Sequence, residues 1–193
     1  SSYADYLARQ MRANPPRLPA NMDYVGFSGV DGKGVSNFQN AETYISDTGK
    51  KAGIIGDTPW GRFINELGTE SAARTEFRVV EGKFQHFMEL HGYEPRAANY
   101  AGALQDMMWN ACSPEYFENA IAARRPIVAF VENAPPGRGF SNFELSTALK
   151  HPDAVINGYP VRAFGNDPLA FASQSAAEFQ QLERSIAQAA SSN

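Results

Sequence analysis

The chain has 193 residues, 43% of them hydrophobic and 12% aromatic, which suits one domain with a sizeable core and excludes a disordered segment. Its 17 basic and 21 acidic residues are well mixed and leave a net charge of −4, with no basic stripe, so no nucleic acid partner is expected. No apolar run approaches the ~20 residues of a membrane span, and no signal-peptide pattern opens the chain.

Ser2 to Ala13 reads as a helix with Tyr3, Leu7 and Met11 along one face, closed by Asn14-Pro15-Pro16. Residues 15–23 hold three prolines and should be extended. Val25 to Gln39, VGFSGVDGKGVSNFQ, has four glycines and alternating apolar residues, which fits strands and turns or a glycine-rich cleft loop. Gly32 and Gly34 do not make a phosphate loop, because the full spacing and an immediate helix are missing. Ala41 to Ser46 suggests a helical turn, and Asp47 to Asp57 an exposed loop.

Thr58-Pro59-Trp60 has the form of a capped helix start, continued by Phe63, Ile64 and Leu67 and stopped by Gly68. Ser71 to Glu89 suits one helix, or two broken at Gly82. Within it Phe84, Phe87, Met88 and His91 share one face, before Gly92 and Pro95 end the run. Ala101, Leu104, Met108 and Ala111 predict a second helix, expected to pack on the 84–91 helix. Ser113-Pro114-Glu115 signals a new start, with Phe117, Ala120 and Ile121 facing inward. Pro126 to Val131 is a short apolar run, a strand or a buried helix. Residues 134–139 should be a loop and 142–149 a helix. Asp167-Pro168 begins the last helix, with Phe171, Phe179, Leu182 and Ile186 as its stripe, and a frayed tail from Ala189.

The single cysteine, Cys112, excludes an internal disulfide and a cysteine-built zinc site. His86, His91 and His151 lack ligand spacing, so neither a metal nor another cofactor is expected. Cys112 with His91 or His86 as nucleophile and base has no sequence feature that brings the groups together.

Three stretches carry a resemblance. Gln85, Phe87 and Tyr93-Glu94-Pro95 precede a helix reading Ala103 to Trp109, and Asp31-Gly32-Lys33-Gly34-Val35-Ser36-Asn37-Phe38-Gln39 lies upstream. Together they cover about a quarter of the chain. This pattern resembles the lysozyme-like, chitosanase-related domain at the carboxy end of some type VI secretion spike proteins and in phage cell-wall hydrolases. The resemblance implies a single lysozyme-like domain over 1–193. Its fold would be mainly α, a helical lobe with a small β/loop-rich lobe around residues 25–57. The implied activity is peptidoglycan hydrolysis, a muramidase-like cut in the glycan strand. The implied partners are that strand and a secretion or phage particle or an immunity protein. The implied location is outside the producing cell, in the bacterial periplasm or cell wall, or on a virion. In one respect the chain departs from the family: its general acid is a glutamate before the glycine-rich loop, and here no glutamate precedes Glu42. The alternative is therefore an inactive lysozyme-fold domain serving as a structural or binding part of such a particle.

Glycosidic cleavage needs two carboxyl groups, one of which keeps its proton near neutral pH. Asp31, among glycines and aligned with a family carboxylate, is the first candidate, against a plain Asp-Gly turn. Glu42, Asp23 and then Glu66 are the ordered candidates for its partner, each also explicable as a surface or capping acid. Glu70 and Glu81 are further acids beside glycines. Gln39, Trp60 and Asp106 are the candidate substrate-binding residues, and Trp109 suits the core.

Overall fold

The computed structural model describes residues 3–49, 51–66 and 97–192, with the side chains of 3–4, 97–104 and 106 outside that description. The expected 84–91 helix, Glu70 and Glu81 therefore lie outside the described residues, as do the side chains of its expected packing partner Leu104 and of Asp106. The described chain groups into two compact units, Ser1–Arg17 with Gly56–Tyr116, and Leu18–Ile55 with Phe117–Asn193. Six α-helices are described together with a small mixed sheet, so the chain is mainly helical. No described helix is long and apolar enough to cross a membrane.

The first unit contains α1 (Tyr3–Ala13) and α3 (Pro59–Glu66). Leu7 and Met11 bury the α1 stripe. The Thr58 hydroxyl accepts from Gly61 N at 3.0 Å, the cap that its position before Pro59 predicts. Trp60 Nε1 donates to the Asn14 carbonyl at 2.5 Å, so this indole ties α3 to the end of α1.

The second unit is built on five strands: β1 (Asp23–Phe27), β2 (Ala52–Ile54), β3 (Ile127–Phe130), β4 (Val155–Ile156) and β5 (Tyr159–Pro160). Their order is β2-β1-β3-β4-β5, parallel except for the β4–β5 hairpin. Asn157 and Gly158 turn that hairpin at φ 52° and 84°, the left-handed pair that an Asn-Gly turn supplies. Residues 25–57 are therefore no lobe of their own. They hold a strand, the helix α2 (Asn37–Asp47) and a second strand, all joined to the sheet that β3 completes. The expected exposed loop at 47–57 contains β2, with Ala52 and Gly53 buried, because pairing with β1 gives its backbone partners.

Alternation along the strands assigns the two faces. Val25, Val128 and Phe130 pack with Ala41 and Ala52, against Tyr44, Ile45 and Phe179. Those partners come from α2 and from α6 (Pro168–Ser191), whose Asp167 cap accepts from Ala170 N. Tyr24, Gly26, Ile127 and Ala129 consequently face the other way.

Three expectations fail on helices. α4 (Ala97–Ala122) runs through Ser113-Pro114, where a new start was expected. Met108, Cys112, Tyr116 and Ala120, four residues apart and all fully buried, form one stripe across the proline. Burying that stripe outweighs the one backbone bond that proline forfeits. On α6 the buried face is Ala172, Ser175, Ala176 and Gln180, while Leu182 and Ile186 are more than half exposed. The expected 142–149 helix is a π-helical turn, Phe140–Leu145, followed by the short α5 (Ser146–Ala148).

Candidate functional site

From β1 the chain passes through α2 to β2 on one side, and it later enters β3 on the other side of β1. In an open parallel sheet, the crevice at the carboxyl ends of two such strands is where ligands bind. Here it is framed by the loops after β1 and β3, which carry Asp31 and Glu132.

Asp31 is buried, with its side chain only 2% exposed. Its Oδ1 accepts from Lys33 N at 2.8 Å and Val35 N at 2.9 Å, and its Oδ2 from Asn40 Nδ2 at 2.8 Å. Burial alone would raise its pKa, but the bonds from Asn40, Val35 and Lys33 and the Arg184 charge bring it below the usual carboxylate value. Asp31 is thus a clamp for the glycine-rich loop, ionised at neutral pH.

Glu132 begins the loop after β3 and is 17% exposed. Arg184 of α6 stands between the two carboxylates, its Nη1 4.0 Å from Asp31 Oδ2 and 3.9 Å from Glu132 Oε2. Those oxygens are thereby closer than the largest separation, roughly 9.5 Å, of carboxyl pairs that act on a glycosidic bond. Gln180 Nε2 lies 3.4 Å from Glu132 Oε2 and 3.3 Å from Asn37 Oδ1. Asn37 Nδ2 in turn donates to the carbonyls of Ser28 and Glu132, stitching the two loops together. A Cβ on Gly32 would stand 2.9 Å from Glu132 Oε1, so this glycine leaves room for the carboxylate.

Glu144 approaches the same strands from the opposite face. It sits on the π-helical turn, a distortion common at functional sites. A Cβ on Gly26 would stand 3.3 Å from Glu144 Oε2 and 3.2 Å from Phe117 Cζ. Glycine at 26 is what admits both the carboxyl and the ring. Desolvation by burial pushes the Glu144 pKa up to about 8, and no hydrogen bond or ion pair among the described residues offsets it. The carboxyl is thus desolvated, although the residue as a whole is only partly buried.

The other expected site residues do not converge on Asp31. Gln39 and Glu42 lie on the exposed side of α2. Asp23 is at the opposite end of β1, bonded to Arg125 at 2.7 Å. Glu66 is exposed in the first unit, where Trp60 also lies. Sequence reading missed Glu132, Glu144, Gln180 and Arg184. Glu132 had a signal, an acid directly after the apolar run 126–131. Glu144 had none that separates it from a surface helix acid.

Among the described residues no His, Cys, Asp and Glu group could hold a metal ion. No protein-family model matches the chain, and no characterised protein or solved structure is similar to it.

Proposed function

We propose that the chain cleaves a glycosidic bond at the carboxyl ends of β1 and β3, on the face where Glu144 meets Gly26, with Glu144 as proton donor. The observation that carries this reading is Glu144, a carboxyl fitted against Gly26 and Phe117 that keeps its proton at neutral pH. Glu144 protonates the departing atom. Water adds to the anomeric carbon and releases its proton to solvent. Asp31, sealed in its loop, positions rather than reacts.

The resemblance of the glycine-rich and 84–111 stretches supports the glycan strand of peptidoglycan as substrate. On that reading this is a lysozyme-like, muramidase-type hydrolase, secreted or carried by a secretion or phage particle. The strand arrangement favours a second substrate, because β2, β1 and β3 are parallel and the order reverses at β1, the kind of switch point at which open α/β sheets bind ligands, FMN among them. The bond cut would then be the N-glycosidic bond of a nucleoside or nucleotide.

Both substrates are tested with one variant. Wild-type protein is assayed for lysis of purified cell walls and for base release from nucleosides and dinucleotides. Activity in either arm should fall by roughly 10²–10⁴ in Glu144→Gln, with the circular dichroism spectrum unchanged. Activity retained by that variant removes Glu144 from the mechanism. No activity of the wild type in either arm leaves the non-catalytic structural or binding role.

A further inference from the structure

Facing helices normally bury apolar stripes against each other. The seam between α2 and α6 does so only in part, at Tyr44 and Phe179, whose rings meet edge to face at 5.7 Å. α2 presents Asn40, Thr43, Tyr44 and Asp47 to it, and α6 presents Gln180, Glu183, Arg184 and Ala187. Each set has the i, i+3, i+4, i+7 spacing of one helix face. Phe130 of β3 closes the floor, and the space enclosed is about 100 Å³. That is smaller than the ~300–1,000 Å³ of a drug-sized pocket, and suits one ring of a ligand.

Asn40 and Gln180 are engaged with Asp31, Asn37 and Glu132, and the other polar groups here are largely unused. Thr43, Asp47 and Glu183 have no hydrogen-bond partner among the described residues, and Arg184 makes only its two long ion pairs. Asp47 and Glu183 accept hydrogen bonds, Arg184 donates, and Thr43 does both. Asp31 and Glu132 already balance the Arg184 charge, so the seam as a whole is negative and disfavours an anion. Adjacent hydroxyls, which each donate and accept, match such a mixture, while the half-buried Tyr44 offers apolar ring surface.

We propose that the α2–α6 seam binds an uncharged ring bearing adjacent hydroxyl groups. Such a ring is found in a glycan sugar and in the ribose of a nucleoside. The site requires only binding, so it goes beyond the proposed cleavage and can be tested apart from it.

The test is an NMR titration of the whole chain with methyl N-acetyl-β-glucosaminide, methyl β-ribofuranoside and inorganic phosphate. At least one glycoside should saturate, with shifts concentrated in residues 40–47 and 180–187. Tighter ribofuranoside binding identifies a nucleoside source, and tighter glucosaminide binding a glycan source. Asp47→Asn with Glu183→Gln should weaken binding by about ten-fold, roughly 1.4 kcal/mol. Thr43→Val, on an exposed position, is the second variant and should also weaken it. The proposal is overturned if neither glycoside saturates, if both variants bind like the wild type, or if phosphate alone perturbs the seam. Binding by a Glu144→Gln protein separates this result from the fate of the catalytic reading.

Discussion

Glu144 Oε2 lies so close to Gly26 that a Cβ on that glycine would stand 3.3 Å from it. A carboxyl on a turn after β3 is thus fitted against the backbone of β1, with the Phe117 ring beside it. The contact strips water from the acid without supplying a counter-charge, and this combination raises a carboxyl pKa.

The first prediction is a stability slope. Below the usual glutamate value of 4.5, Glu144 is protonated in both folded and unfolded chains. Between there and about 8 the unfolded chain has released a proton that the folded chain keeps, so its contribution to stability falls as pH rises. Glu144→Gln should remove that slope. The variant should gain on the wild type by a few kcal/mol toward pH 8, on the order that the shift implies. Urea unfolding from pH 5 to pH 8 measures it, and parallel curves for the two proteins would refute the raised pKa.

Gly26→Ala tests the close approach itself. The added methyl meets the end of a fully buried Phe117 and the Glu144 carboxyl. Overpacking of this kind costs about 1–3 kcal/mol. Any glycosidase activity should fall with it, since the carboxyl must shift. A variant as stable and active as the wild type would show that the fit is loose.

Asp31→Asn should destabilise the fold rather than abolish chemistry alone. If the new amide nitrogen replaces Oδ2, it faces the Asn40 amide that now donates to it. Placed the other way, it faces the amides of Lys33 and Val35. Losing an acceptor at a buried site costs about 1–3 kcal/mol. Because the folded pKa lies below the usual 3.8, the wild-type contribution is complete above that value and is lost as pH falls through the folded pKa. The gap between variant and wild type should therefore narrow in acid, which thermal unfolding at pH 3 and pH 7 would read.

Glu42→Gln and Asp23→Asn should leave activity at the wild-type level. Glu42 is exposed, and Asp23 pairs with Arg125 at the far end of β1, both side chains about one-third exposed. An exposed pair contributes at most about 1 kcal/mol. Loss of activity in either folded variant would place a reacting carboxyl on the wrong edge of the sheet and undo the crevice assignment.

Much of the local structure was legible in the chain. Thr58 and Asp167 cap where they stand before proline, and Leu7 and Met11 bury the stripe of α1, whereas the apolar run after Pro126 was open between strand and buried helix until its pairing with β1 made it a strand. Asn157-Gly158 was a readable hairpin turn that went unread. Caps, turns and stripes depend on residues within one or two helical turns, so sequence by itself determines them. The site obeys a different rule. Gln180 meets Asn37 across 143 residues, and Asn37 meets Glu132 across 95. Proline 114 stays inside a helix because distant packing outweighs it, and Asp31 and Glu144 differ in charge state although both are acidic residues met singly in the sequence. One carboxylate is surrounded by donors and the other by apolar atoms. That choice is made by which remote segments the tertiary structure packs around each, because the cost of a buried charge is set by its neighbours in space.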